Sequence, residues 1–203
     1  MERAGRHRAL KYLALGDSYT IGTGASAESH SWPSIIARRL NVELINPSVN
    51  GYTTLDLIRD ELPYLVRVKP DLVSILIGVN DLVQGRTPEQ YRDSLTRIYE
   101  AVLELEIPPR VAAVSVPSWS YVPAAADFGG MDQVGTLTGV FNAIAEQEAH
   151  ARNFTWVDLG EASTSGIGSP GWIASDDLHP GDAQYAVWAE AIWAALGESW
   201  ARR

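Results

Sequence analysis

The chain has 203 residues, no cysteine and a formal net charge of −9. That length suits one domain with a sizeable core, and the lack of cysteine excludes disulfides, zinc–thiolate sites, Fe–S clusters and a cysteine nucleophile. With no basic run to track a phosphate backbone, the acidic balance argues against a nucleic-acid partner. The first ten residues are charged and lack the apolar stretch of a secretory leader, and no unbroken apolar run is long enough to span a bilayer. A soluble, cytoplasmic protein without a membrane segment is therefore expected.

Residues 12–15, Tyr-Leu-Ala-Leu, form a short apolar run that stops at Gly16 and is followed at once by Asp17-Ser18-Tyr19-Thr20. A buried strand ending there puts Ser18 at the mouth of a sheet. Residues 21–31 read as a Gly/Ser loop, and Pro33 opens a helix over 34–40. Residues 42–46 form a second strand closed by Pro47, with Asn50-Gly51 in the loop beyond.

Leu55, Ile58, Leu62 and Leu65 carry helical spacing over 54–66, with Pro63 as a kink or break. Residues 72–77 are a near-continuous apolar run suited to a central parallel strand, ending in Gly78-Val79-Asn80-Asp81. Thr87-Pro88-Glu89-Gln90 reads as a capping box opening a helix to about residue 106. A fourth strand covers 111–116.

The longest irregular segment, 117–136, carries Trp119, Tyr121 and Phe128 and is a candidate lid or pocket wall. A helix over 137–152, a strand over 154–159, a loop bearing Trp172 that runs to Asp176-Asp177-Leu178-His179-Pro180, and a Trp-bearing helix complete the chain. Alternating strands and helices predict a three-layer α/β/α fold with a parallel, flavodoxin-like sheet of about five strands. In such sheets ligands bind outside the carboxyl ends of the strands, where Ser18, Gly51 and Asn80 fall; His179 lies in the loop after the fifth strand.

A serine nucleophile needs a base within hydrogen-bond reach, itself held by a third group. Of the four histidines, His7 lies in a charged tail, His150 near a helix end, and His30 in the loop after the first strand. His179 has Asp176 three residues before it, while Pro180 biases its backbone to an extended conformation. Asp177 is an equally near rival for the orienting role.

Four blocks, Gly16-Asp17-Ser18-Tyr19-Thr20, Asn50-Gly51, Gly78-Val79-Asn80-Asp81 and Asp176-Asp177-Leu178-His179-Pro180, together resemble the SGNH, or GDSL, hydrolases over nearly the whole chain. The resemblance implies a metal- and cofactor-independent esterase acting on a small ester through an acyl-enzyme. It implies Ser18 as nucleophile, His179 as base and Asp176 as orienter. The oxyanion donors it implies are the Ser18 and Gly51 backbone N–H groups and the Asn80 amide. Tyr19 stands where the family name has leucine, a substitution read as lying outside the chemistry; Asp17 and Asp81 read as acids that hold loops.

Two other classes fit parts of the chain. Trp119, Tyr121 and Trp172 are substrate-pocket candidates that would equally suit a non-catalytic sugar-binding domain. Gly22-Thr23-Gly24-Ala25-Ser26-Ala27, with Glu43 as ribose ligand, fits a dinucleotide fingerprint, although six residues separate its first glycine from the strand end.

Overall fold

Five parallel strands, β1 (Lys11–Gly16), β2 (Glu43–Ile45), β3 (Leu72–Leu76), β4 (Arg110–Val114) and β5 (Thr155–Val157), stand in the order β2-β1-β3-β4-β5 in the computed structural model, which describes residues 8–201. His7 lies outside the described residues. The central strand β3 is buried along its whole length, as its near-continuous apolar run demands. Strand order reverses between β1 and β3, so the crevice of a doubly wound sheet opens past Gly16 and Leu76.

The helices are α1 (Ser18–Ile21), α2 (Trp32–Leu40), α3 (Thr54–Asp56), α4 (Pro63–Val68), α5 (Val79–Val83), α6 (Pro88–Leu103), α7 (Gly130–Ala151), α8 (Gly160–Thr164) and α9 (Asp182–Ala201). α2 packs against α9, and α6 packs against α7 and the α3 turn. Among the described residues no helix is long and apolar enough to cross a membrane. α9 docks through rings: Trp188 meets Tyr19 edge-on at 5.7 Å, and Trp200 meets Tyr12 at 5.2 Å. Burying such rings stabilises each contact beyond its area term by about 0.5–1.5 kcal/mol.

Two expected elements differ. The helix expected over 54–66 is broken into α3, a π-helical turn over Leu57–Glu61, and α4. Pro63 has no N–H to give, and Leu62 donates instead to Leu57 O, five residues back. The extra residue in that turn carries Glu61 into the interior, where it is 1% exposed. The irregular segment expected over 117–136 is also shorter. Residues Pro123–Phe128 form a 3-10 turn and α7 begins at Gly130, with Gly129 and Gly130 serving as the entry to a 22-residue helix.

Candidate active site

The turn after β1 is held from both sides. The Asp17 carboxylate caps α1 by accepting Tyr19 N–H at 3.0 Å, and Glu61 accepts Gly16 N–H at 2.9 Å. Ser18 follows as the first residue of α1, where a backbone N–H has no acceptor within its own helix. Its hydroxyl has no hydrogen-bond partner among the described residues, and the residue is 6% exposed.

Asp81 draws the second loop to the first. It accepts Thr54 N–H at 2.8 Å and Thr54 Oγ1–H at 2.5 Å, and it forms an ion pair with Arg86 at 3.1 Å. That anchors the segment bearing Gly51 beside the end of β3. Asn80, in α5, donates through Nδ2 to Tyr52 O at 2.9 Å, with a long 3.5 Å contact to Asp17 Oδ2. Gly51 has φ +82°, and an added Cβ would meet nothing within 4 Å. The left-handed backbone, rather than crowding by neighbours, sets the residue type there.

The third loop folds on itself through a bridge between Ile173 and Pro180 and a bond from Ala174 N–H to His179 O at 2.8 Å. Asp176 Oδ2 lies 2.6 Å from His179 Nδ1, and Asp176 Oδ1 accepts the N–H groups of Leu178 and His179 at 3.0 and 2.9 Å. Partial burial pushes the Asp176 carboxyl up, but the His179 ring and these two N–H groups outweigh it and hold it below its ordinary value. Asp177 adopts φ +61° and takes no part; its carbonyl accepts Ala124 N–H instead.

Ser18, Gly51, Asn80 and His179 meet at one cavity of about 220 Å³, walled by Trp119 and Phe128. Tyr19, expected to lie outside the chemistry, lines it too, its ring edge-on to His179 with centroids 6.0 Å apart. Of the three aromatic pocket candidates only Trp119 is in this wall. Tyr121 and Trp172 are directed elsewhere: Trp172 Nε1 donates to Tyr121 OH at 3.1 Å, and Tyr121 OH donates to Ser163 O at 2.8 Å, tying the 117–129 segment to α8. Loop membership was visible in the sequence, but side-chain direction was not.

His30 joins a separate cluster. Its Nδ1 lies 2.9 Å from both Ser26 Oγ and Asp182 Oδ2, which pins the Gly-rich loop to the start of α9. Glu43 pairs with Lys11 at the amino end of β1, whereas Gly22 and Gly24 lie past its carboxyl end. A ribose ligand and a pyrophosphate loop would then sit at opposite ends of the sheet, which removes the dinucleotide reading. Among the described residues no three His, Asp or Glu side chains gather to hold a metal ion.

Sequence reasoning passed over Glu61. Burial pushes its carboxyl up to about 8, against the opposing Gly16 N–H and with help from Asp17 and Asp60. Asp17 is likewise raised to about 7 by burial, offset by the Tyr19 N–H and reinforced by Asp81. An acid at helical spacing between Ile58 and Leu65 was the available signal.

The chain is 25% identical to an acetylxylan esterase of Geobacillus stearothermophilus, over 95% of this chain and 96% of that protein. It is 25% identical to the esterase TesA of Pseudomonas aeruginosa, over 91% and 86%. A solved G-D-S-L lipolytic protein from Veillonella parvula superposes with a TM-score of 0.76 at 18% identity, covering 93% of this chain and 99% of that one, a likeness of fold alone. The model of the GDSL-like lipase/acylhydrolase family matches residues 14–187, from the strand that leads to Ser18 to the first turns of α9, and the chain therefore belongs to that family.

Proposed function

We propose that the protein is a serine ester hydrolase working through an acyl-enzyme. The observation that carries this reading is the convergence of Ser18, Gly51, Asn80 and His179 on one cavity, with Asp176 2.6 Å behind the imidazole. Ser18 Oγ attacks the ester carbonyl and its proton passes to His179 Nε2. Asp176 fixes the Nδ1–H tautomer and favours the imidazolium that results.

Negative charge then develops on the carbonyl oxygen. The donors for it are the Ser18 and Gly51 N–H groups and the second N–H of Asn80 Nδ2, whose first is held by Tyr52 O. A side-chain amide is neutral at every working pH, so it donates without a charge that would bind the leaving carboxylate tightly. The tetrahedral intermediate collapses, the C–O bond breaks, and the alcohol leaves with the proton from His179. Water, deprotonated by the same imidazole, repeats the sequence on the acyl-enzyme and frees Ser18.

Acyl size follows from volume. A cavity of about 220 Å³ is below the about 300 Å³ at which drug-sized ligand pockets begin, which favours acetyl and other short acyl groups. Ser18→Ala and His179→Ala are expected to abolish hydrolysis of p-nitrophenyl acetate while circular dichroism stays native. A phosphonate ester should add covalently to Ser18 and nowhere else by peptide mass. Turnover at the wild-type rate in either variant overturns the reading.

A further inference from the structure

The Gly22-Thr23-Gly24 stretch touches all three loops that build the Ser18 cavity, and the mechanism above gives it no role. Thr23 N–H donates to Ser18 O at 2.9 Å, and Thr23 Oγ1–H donates to Asn50 Oδ1 at 2.5 Å. Thr23 O accepts the Tyr185 hydroxyl of α9 at 2.8 Å. Every polar atom of this one residue is therefore engaged. The glycines on either side close the fit, each with φ +91°. A Cβ added at Gly22 would lie 2.4 Å from Ser31 Cβ, and one at Gly24 would lie 2.5 Å from Pro180 O, in the histidine loop.

Asn50 and Gly51 need such a hold. Tyr52 N–H donates to Val49 O at 3.3 Å, so the pair forms the tip of a β-turn, and both residues are exposed. A Cβ at Gly51 would meet nothing within 4 Å, so no neighbour crowds it into place. Polar contacts flank it instead. Asn80 Nδ2 grips Tyr52 O on one side of Gly51, and Thr23 grips Asn50 on the other.

We propose that Thr23 is a positioning residue for the oxyanion donors. Its N–H reaches the carbonyl of Ser18 and its hydroxyl reaches the residue before Gly51, so one residue sets the span between the Ser18 and Gly51 N–H groups. Such donors act at about 2.7–3.1 Å from the developing charge, and a loose turn tip would spread Gly51 over a wider range. Thr23 does not line the cavity itself. Its role rests on the ester-hydrolase reading of that cavity.

Three variants test it. T23V keeps the β-branched shape and removes the hydroxyl, T23S keeps the hydroxyl, and N50A removes the acceptor while leaving Thr23 in place. On p-nitrophenyl acetate, T23V and N50A are each expected to lose between about threefold and tenfold in kcat at unchanged KM, the range one neutral hydrogen bond supports. Acylation and deacylation both pass through an oxyanion, so the loss shows whichever step limits. T23S should stay within about twofold of wild type. T23V/N50A should lose no more than the worse single variant, because both changes remove the same contact. A second readout needs no turnover: the backbone order parameter of the Gly51 amide in S18A protein, which should fall in S18A/T23V and S18A/N50A while that of Ile75 in β3 holds.

A kcat loss smaller than threefold in either folded variant, a T23S enzyme as slow as T23V, or an unchanged Gly51 order parameter overturns the proposal. So does a rise in KM confined to N50A, since Asn50 would then bind substrate directly. If the wild type turns over no ester, the hydrolase reading fails instead, and the Gly51 order parameters still report whether Thr23 holds the turn.

Discussion

Asp176 Oδ2 and His179 Nδ1 are 2.6 Å apart, on a turn whose next residue, Asp177, is carried out of contact by a left-handed backbone. Two adjacent acids thus have separable roles. Asp176→Asn should lower kcat on p-nitrophenyl acetate by up to about 10⁴, the scale seen when an orienting carboxylate is lost from such a triad. Asp177→Asn should change it less than threefold, because an exposed surface acid acts only at long range. Equal losses in both variants would contradict the assignment.

Asn80→Ala removes the one side-chain donor proposed for the oxyanion. A kcat lower by about 10²–10³ with KM little changed is expected, since the bond strengthens only as charge develops. The variant also leaves Tyr52 O without its donor at 2.9 Å, so unfolding should show a loss of about 1 kcal/mol. A rise in KM at constant kcat would mean that Asn80 binds the ground state instead.

Gly24 backs the histidine loop. A Cβ there would sit 2.5 Å from Pro180 O and 3.0 Å from His179 Cβ, on a backbone with φ +91°. Gly24→Ala should therefore push the imidazole out of line, and a misplacement of about 1 Å is worth up to about 10² in rate. Steady-state kinetics on a folded variant with full activity would show that the loop yields freely.

Glu61 and Asp17 give a pH signature in stability. Both carboxyls are raised by burial, to about 8 and about 7, so the native state keeps protons that the unfolded chain has released. Their contribution to stability is present below the unfolded carboxyl range, near pH 4, and is lost as pH rises toward 8. Glu61→Gln keeps an acceptor for Gly16 N–H and removes one titration. Its stability relative to wild type should climb by about 1 kcal/mol per pH unit between about pH 5 and 8 and then level off. Denaturant titrations showing a pH-independent difference would refute this.

Much of the fold was legible because periodicity reports which faces are buried. The run over 72–77 is apolar but for Ser74 and rich in β-branched residues, and residues 72–76 of it are the central strand; Thr87 and Gln90 announced α6 by satisfying each other's backbone groups. The π-helical turn was not legible. Helical spacing assumes one hydrogen-bond register, and Pro63 shifts it by a residue, turning Glu61 inward beneath the Ser18 turn. The start of α7 was not legible either: Gly129 and Gly130 stand at its entry, and a glycine that breaks a helix in its interior is equally at home there.

By itself the sequence determined which residue types end each strand, and so which side chains stand at the carboxyl edge of a parallel sheet. Only the tertiary structure decided which of them share a cavity. Trp119 faces Ser18 while Tyr121 and Trp172 bond to each other and to the α8 side, and Asp176 rather than Asp177 meets the imidazole. Side-chain direction in a loop comes from hydrogen bonds to partners distant in the chain, and those partners exist only once the layers have packed.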